Sequence, residues 1–206
     1  TKKEMSLISD EGFKYLTKWL QDIENRGEWP KDQLEARAIF LCKNEDKPHD
    51  PMNYRIIKIT SSLYRIYASV RVKNLDQWIQ QWATEHMFAG IPGVGAEEGW
   101  YLTQLEMEIK RITGAQITAG SIDVYKCFDQ IVRPLVIALA RQAGMPTQIL
   151  EAYDAFQEHL VVMNQIGEHL GEPHQHRCSI PQGCPLSMAL VALLMRPWIL
   201  LMRHHN

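Results

Sequence analysis

Two aspartates, Asp123 and Asp129, bracket the stretch "DVYKCFD", which follows the apolar-alternating run "AQITAGSIDV". Alternation of that kind predicts a strand, so Asp123 is expected at its C-terminal end, with the amides of a turn beyond it. Mg²⁺ is usually held by one or two carboxylates together with substrate phosphates, and exposed turn amides can point at phosphate oxygens. Asp129 stands where it could instead cap the next helix. On these residues alone the stretch reads either as a metal site or as a strand–turn–helix junction with charged ends.

A second stretch, "CSIPQGCPLSM" (178–188), carries a Pro-Gln-Gly-Cys-Pro bend. Gly183 has no side chain to block close approach, and Gln182 offers both a donor and an acceptor. Such a bend can admit a nucleotide or base pair against its backbone, or it can be a plain loop ahead of a core helix. A third feature is charge. Between Cys42 and Lys73 stand seven bases (Lys43, Lys47, Arg55, Lys58, Arg65, Arg71, Lys73) against three acids (Glu45, Asp46, Asp50), a local excess of four positive charges. A segment of that sign can meet phosphates, or it can be a solvated face.

The elements that position these residues follow from periodicity. Residues 9–26 read as an amphipathic helix with Phe13, Leu16, Leu20 and Ile23 on one stripe and Gly27 near its stop. "ARAIFLCK" and "YRIIKI" read as two strands of a hairpin joined by the polar "NEDKPHDPMN", which brings Lys43 close to Arg55. Residues 61–82 repeat apolar side chains at helical spacing, and a glycine-rich loop, "FAGIPGVGAEEGW", leads into a helix over about 97–112. Helices are expected at about 129–143 and 146–160, then irregular strand and hairpin material. A last helix is expected from Pro185 or Leu186, with Pro197 kinking or ending it. Helices and a few strands alternate irregularly, which predicts an α+β fold.

Bulk composition sets the bounds. The 206 residues suffice for one domain or two small lobes, and 46% hydrophobic with 22% charged content is ordinary for a soluble globular chain. The net charge of -2 rules out a generic polyanion binder. Cys42, Cys127, Cys178 and Cys184 are scattered, so a disulfide framework is not indicated and an intracellular, reducing setting is expected. Arg196 and Pro197 interrupt the most apolar run, which reads as a core helix rather than a membrane span.

Taken in order, the basic hairpin, "SIDVYKCFD" and "CSIPQGCPLSM" resemble the reverse transcriptases of non-long-terminal-repeat retrotransposons and group II introns. The resemblance runs from about Ala36 to Met202: the hairpin is similar to the family's fingers motif, the second stretch to palm motif A, the third to motif B. It implies a right-hand polymerase, with a fingers lobe and N-terminal helix in residues 1–115 and a partial palm in 116–206. By the same resemblance Asp123 is a catalytic ligand for Mg²⁺, and Phe128 is a gate that excludes a ribose 2′-hydroxyl. Lys43 and Arg55 hold the incoming deoxynucleoside triphosphate, and Gln182 and Gly183 pack near the templating base. The partners implied are an RNA template and a DNA primer, and the chemistry is two-metal nucleotidyl transfer.

The chain departs from the family pattern in places. Ile56 stands for a proline, Cys127 for an alanine, and the glycine-rich loop is only loosely similar. The aromatic-x-Asp-Asp motif C has no counterpart, since no Asp-Asp pair occurs. The 206 residues alone are therefore expected not to extend a primer, the sequence reading as a polymerase cut inside its palm. A non-catalytic nucleic-acid-binding remnant and an RNA-templated RNA polymerase are the rival readings, and Phe128 speaks against the latter. "HQHRC" with Cys184 could be read as zinc ligands His174, His176, Cys178 and Cys184, but the spacing suits a polar hairpin better. His204 and His205 read as an exposed end.

Overall fold

The computed structural model of the chain describes residues 5–176 and 178–204, so His205 lies outside the described residues. Helix α1 (Asp10–Arg26) starts where Ser9 Oγ accepts the Gly12 N–H at 3.2 Å, with Asp10 and Glu11 in the first turn, where acids suit the helix dipole. Its inner stripe buries Ile23 and also Glu24. Glu24 is ion-paired with Arg71 and accepts from the Tyr67 hydroxyl at 3.4 Å, which removes the cost of a lone buried carboxylate.

The expected hairpin forms. Strands β1 (Glu35–Cys42) and β2 (Tyr54–Ile59) pair antiparallel, with Leu41 opposite Arg55. Asn53, buried in the connection, donates from Nδ2 to the carbonyls of Asn44 (2.6 Å) and Lys47 (2.8 Å), and Asp50 accepts the Met52 N–H at 2.8 Å. These bonds shape a loop that composition alone would leave free. Strand β3 (Val161–Ile166) then joins β1 in parallel, and the short β4 (His169–Leu170) and β5 (His174–Gln175) both pair antiparallel with β3. The sheet order β2-β1-β3-β4 thus joins the segments before and after residue 115.

Helices α2 (Ser62–Asn74), α3 (Asp76–Trp82), α6 (Arg133–Gln142), α7 (Thr147–His159) and α8 (Pro185–His204) share one continuous core with the buried Ala36, Ala38 and Val162 of the sheet. At its centre Tyr64 stacks on Phe156 with ring centroids 3.4 Å apart. Trp29 meets Tyr64, Tyr67 and Phe156 edge-on and donates from Nε1 to the Ala152 carbonyl at 2.8 Å. Trp78 anchors α3 similarly, donating to the Ala143 carbonyl at 2.8 Å.

The structure departs from the expectations in two places. Residues 115–124 carry no strand and are exposed throughout, so Asp123 stands on an extended loop. Alternation makes a strand only when a neighbour takes its backbone hydrogen bonds, and no strand pairs with this segment among the described residues. Pro197 does not end the last helix: α8 continues to His204, and Arg196 Nε ties it to the Trp82 carbonyl at 2.6 Å. Trp198 is exposed, as are most apolar side chains of α4 (Ala96–Thr113).

One glycine fixes how the loop before α4 meets α8. At Gly90, φ is +72°, and an added Cβ would lie 2.5 Å from the Met188 carbonyl oxygen. Gly90→Ala should therefore lower the unfolding free energy by about 1–3 kcal/mol, read from the urea midpoint.

Candidate nucleotide-binding cleft

Two turns build the site. In the first, Lys126 adopts left-handed φ 46°, ψ 45°, and its carbonyl accepts the N–H groups of Asp129 (2.9 Å) and Gln130 (3.2 Å). This starts the single-turn α5 (Cys127–Gln130), while Gln130 Nε2 closes the loop on the Tyr125 carbonyl at 2.7 Å. In the second, the Cys184 N–H donates to the Pro181 carbonyl at 3.2 Å, and Gly183 has φ +97°. A hydrogen-bonded four-residue turn with positive φ at its third position calls for glycine there. Pro181 is fully buried, Gln182 half-buried and Gly183 exposed.

Two backbone bonds dock one turn on the other. The Ser179 N–H donates to the Ile131 carbonyl at 2.9 Å, and the Ile180 N–H to the Phe128 carbonyl at 3.1 Å. The end of the hairpin closes the third side. The result is a cleft of about 280 Å³ whose walls include Lys43, Arg55, Asp123, Lys126, Phe128, Asp129 and Gln182. Of the six residues singled out in the sequence, Asp123, Phe128, Lys43, Arg55 and Gln182 line this one space, and Gly183 sits in the same turn as Gln182. Lys126 was not singled out; its position between two turn residues carries no signal until the hairpin is packed beside it, where its Nζ lies 3.6 Å from Met52 Sδ.

Three cations, Lys43, Arg55 and Lys126, and two carboxylates, Asp123 and Asp129, line the cleft. Burial, and after it the Asp123 charge, pushes the Cys127 thiol up. Asp123 is exposed and Asp129 half-buried. Among the described residues no three His, Cys, Asp or Glu side chains converge. Asp123 and Asp129 are the cleft carboxylates that could hold a divalent cation, with phosphate and water as its other ligands.

Behind the cleft lies a buried cationic group. Lys58 Nζ donates to Ser179 Oγ at 2.7 Å, and Arg133 donates to the carbonyls of Gln157 (2.7 Å) and His176. Burial lowers the Lys58 pKa to about 8, with Asp129 opposing and Arg133 adding to the effect. Burial, then Lys58, His174 and Arg133, lower His176 to about 4, so its ring stays neutral. Between pH 8 and 10.5 the unfolded chain binds a proton on Lys58 that the folded chain lacks, so Lys58 makes stability rise with pH across that window. The rise should be at most about 3 kcal/mol. Buried Tyr64, Tyr153 and Cys184, whose pKa values are raised, act in the opposite sense at alkaline pH. Lys58's part is therefore the difference between wild type and Lys58→Met in denaturant titrations at pH 7.5 and 10.

A hairpin with two bases, a carboxylate turn and a Gln-Gly turn surround one cleft. The family described as reverse transcriptase (RNA-dependent DNA polymerase) matches residues 43–206, and the chain belongs to it. Over 184 residues it is 23% identical to "Transposon TX1 uncharacterized 149 kDa protein" of Xenopus laevis, a match covering 89% of this chain and 14% of that protein. The chain thus spans about one-seventh of that relative's length. The family acts on nucleotides and a nucleic-acid template, and a divalent metal is its general requirement.

Proposed function

We propose that this chain supplies the fingers (residues 1–115) and part of the palm (116–206) of an RNA-directed DNA polymerase of a mobile element, working inside the cell. One observation carries the reading: segments around positions 43, 55, 123–129 and 182, far apart in sequence, converge on a single cleft. In this reading Lys43 and Arg55 hold the triphosphate of an incoming deoxynucleotide, Arg55 with its planar fork and Lys43 as a point charge. Asp123 holds Mg²⁺ against the same phosphates. When bound, the metal neutralises phosphate charge and polarises the phosphorus under attack by the primer 3′-hydroxyl. Phe128 sets its ring against the sugar, and Gln182 with Gly183 faces the pair formed between the nucleotide and an RNA template. Contacts of the basic hairpin with nucleic-acid phosphates weaken with salt.

Phe128 offers the test. In Phe128→Ala the preference of the cleft for deoxynucleotides over ribonucleotides should fall by about tenfold or more, measured by competition binding. An unchanged preference would remove the gate and with it the assignment to DNA synthesis. A second reading, a module that binds nucleotide and nucleic acid without transfer, is favoured by the carboxylate count, since Asp123 and Asp129 alone are a thin set for two cations. Transfer to a primer on an RNA template by these residues alone would exclude the second reading, while no transfer is the outcome expected of both.

A further inference from the structure

Ser179 and Lys126 are the non-glycine residues at positive φ among the described residues; Lys126 opens the first turn of the cleft and Ser179 lies two residues before the second. Ser179 has φ +78° and is 4% exposed. A residue with a Cβ holds that conformation only when its surroundings impose it. Two bonds do so here. Its N–H is taken by the Ile131 carbonyl, and its Oγ accepts from Lys58 Nζ at 2.7 Å. The chain direction chosen at Ser179 is passed on without slack, because Ile180 and Pro181, which follow, are both fully buried. Gln182, three residues after Ser179, stands in the cleft wall.

Lys58 is placed to transmit geometry from the other side. It sits on β2 opposite Ala38, three residues after Arg55, and is itself buried. One side chain thus joins the strand that carries Arg55 to the turn that carries Gln182, across 121 residues of sequence. We propose that Lys58 is a positioning residue: through Ser179 it holds the Pro181–Cys184 turn, and hence Gln182, in register with Arg55 and the Phe128–Ile131 segment. The groups around it are Asp129 and Arg133 beside the first turn, Cys178 on the approach to the second, and His176 in the same buried group. The consequence for nucleotide binding rests on the cleft reading above; the consequence for the turn does not.

Removing the ammonium leaves the Ser179 hydroxyl buried without its donor and the positive φ without its brace. Glycine at 179 adopts that φ without strain and has no hydroxyl to satisfy. The experiment compares wild type, Lys58→Met, Ser179→Ala, Ser179→Gly and the double variant Lys58→Met/Ser179→Gly. Two readouts are taken: hydrogen exchange of the Ser179 and Ile180 amides, and affinity for a deoxynucleoside triphosphate with Mg²⁺. Exchange should quicken by about tenfold in Lys58→Met and in Ser179→Ala, stay near wild type in Ser179→Gly, and return toward wild type in the double variant. Nucleotide affinity should fall by about fivefold and recover in the same pattern. A merely space-filling lysine would not be rescued by glycine at 179.

Unchanged exchange in Lys58→Met, or a loss that the double variant does not recover, overturns the proposal. Should Lys58→Met fail to fold, Ser179→Ala decides, since it removes the acceptor and keeps the lysine; unchanged exchange there also overturns it. If wild type binds no nucleotide while exchange follows the expected pattern, the cleft reading falls and the role of Lys58 in holding the turn stands.

Discussion

Replacing Lys43 and Arg55 together by alanine should weaken binding of a deoxynucleoside triphosphate by about a hundredfold or more. Each hydrogen bond from a cation to phosphate contributes about 1.5–3 kcal/mol, and every 1.4 kcal/mol is a factor of ten. Lys43 lies just past β1, held by its own N–H on the Asn53 carbonyl at 2.9 Å, and Arg55 is on β2 opposite Leu41. Both are exposed, so their removal leaves the core intact, and a loss of affinity reports on the cleft. Arg55→Lys should recover only part of the loss, because an ammonium cannot make the two parallel bonds of a guanidinium. Calorimetry or fluorescence titration at fixed ionic strength measures it. An affinity within twofold of wild type would take both residues out of the site.

The largest effect on stability is expected at Trp29. Trp29→Ala should cost about 3–5 kcal/mol, read from urea unfolding, which is a large share of the 5–15 kcal/mol typical of a domain. The indole is buried, with ring centroids 5.2 to 5.4 Å from those of Tyr64, Tyr67 and Phe156. Its loss also strips the Ala152 carbonyl of a donor. Trp29→Phe keeps an aromatic ring in the cluster and loses that bond, so its cost should be nearer about 1–2 kcal/mol. Because the cluster joins the chain after α1 to α2 and α7, unfolding should remain a single transition in both variants.

Much of the site was legible because it is written in local chemistry. Pro-Gln-Gly-Cys-Pro reads as a bend, and Gly183 is found at the positive φ that favours glycine in a tight turn. The hairpin could be read from two apolar runs around a polar loop, and it brings Lys43 and Arg55 into one wall. Contacts across long stretches of sequence were not legible. The run ending at Asp123 alternates like a strand, yet a strand is a property of two segments, and this one has no partner among the described residues. Trp29 follows a helix stop in "GEWPKD" and looks like loop, but its indole reaches a carbonyl 123 residues away. Lys58 was counted as one base of a charged face, and only the fold shows it buried against Ser179. Pro197 shows the reverse case: a local rule predicted a kink or an end, and the helix does not end there but runs on to His204, with Arg196 tying it to the Trp82 carbonyl.

The central claim is that Asp123 shares a metal-bound nucleotide with the basic hairpin and the Gln-Gly turn. Its most direct test is the affinity of the chain for a deoxynucleoside triphosphate, measured with and without Mg²⁺, in wild type and in Asp123→Asn. Asp123 is exposed, so the asparagine leaves the fold unchanged. The account predicts saturable binding that Mg²⁺ strengthens by about tenfold or more in wild type, with most of that gain gone in Asp123→Asn. The same Mg²⁺ response in both proteins would contradict it.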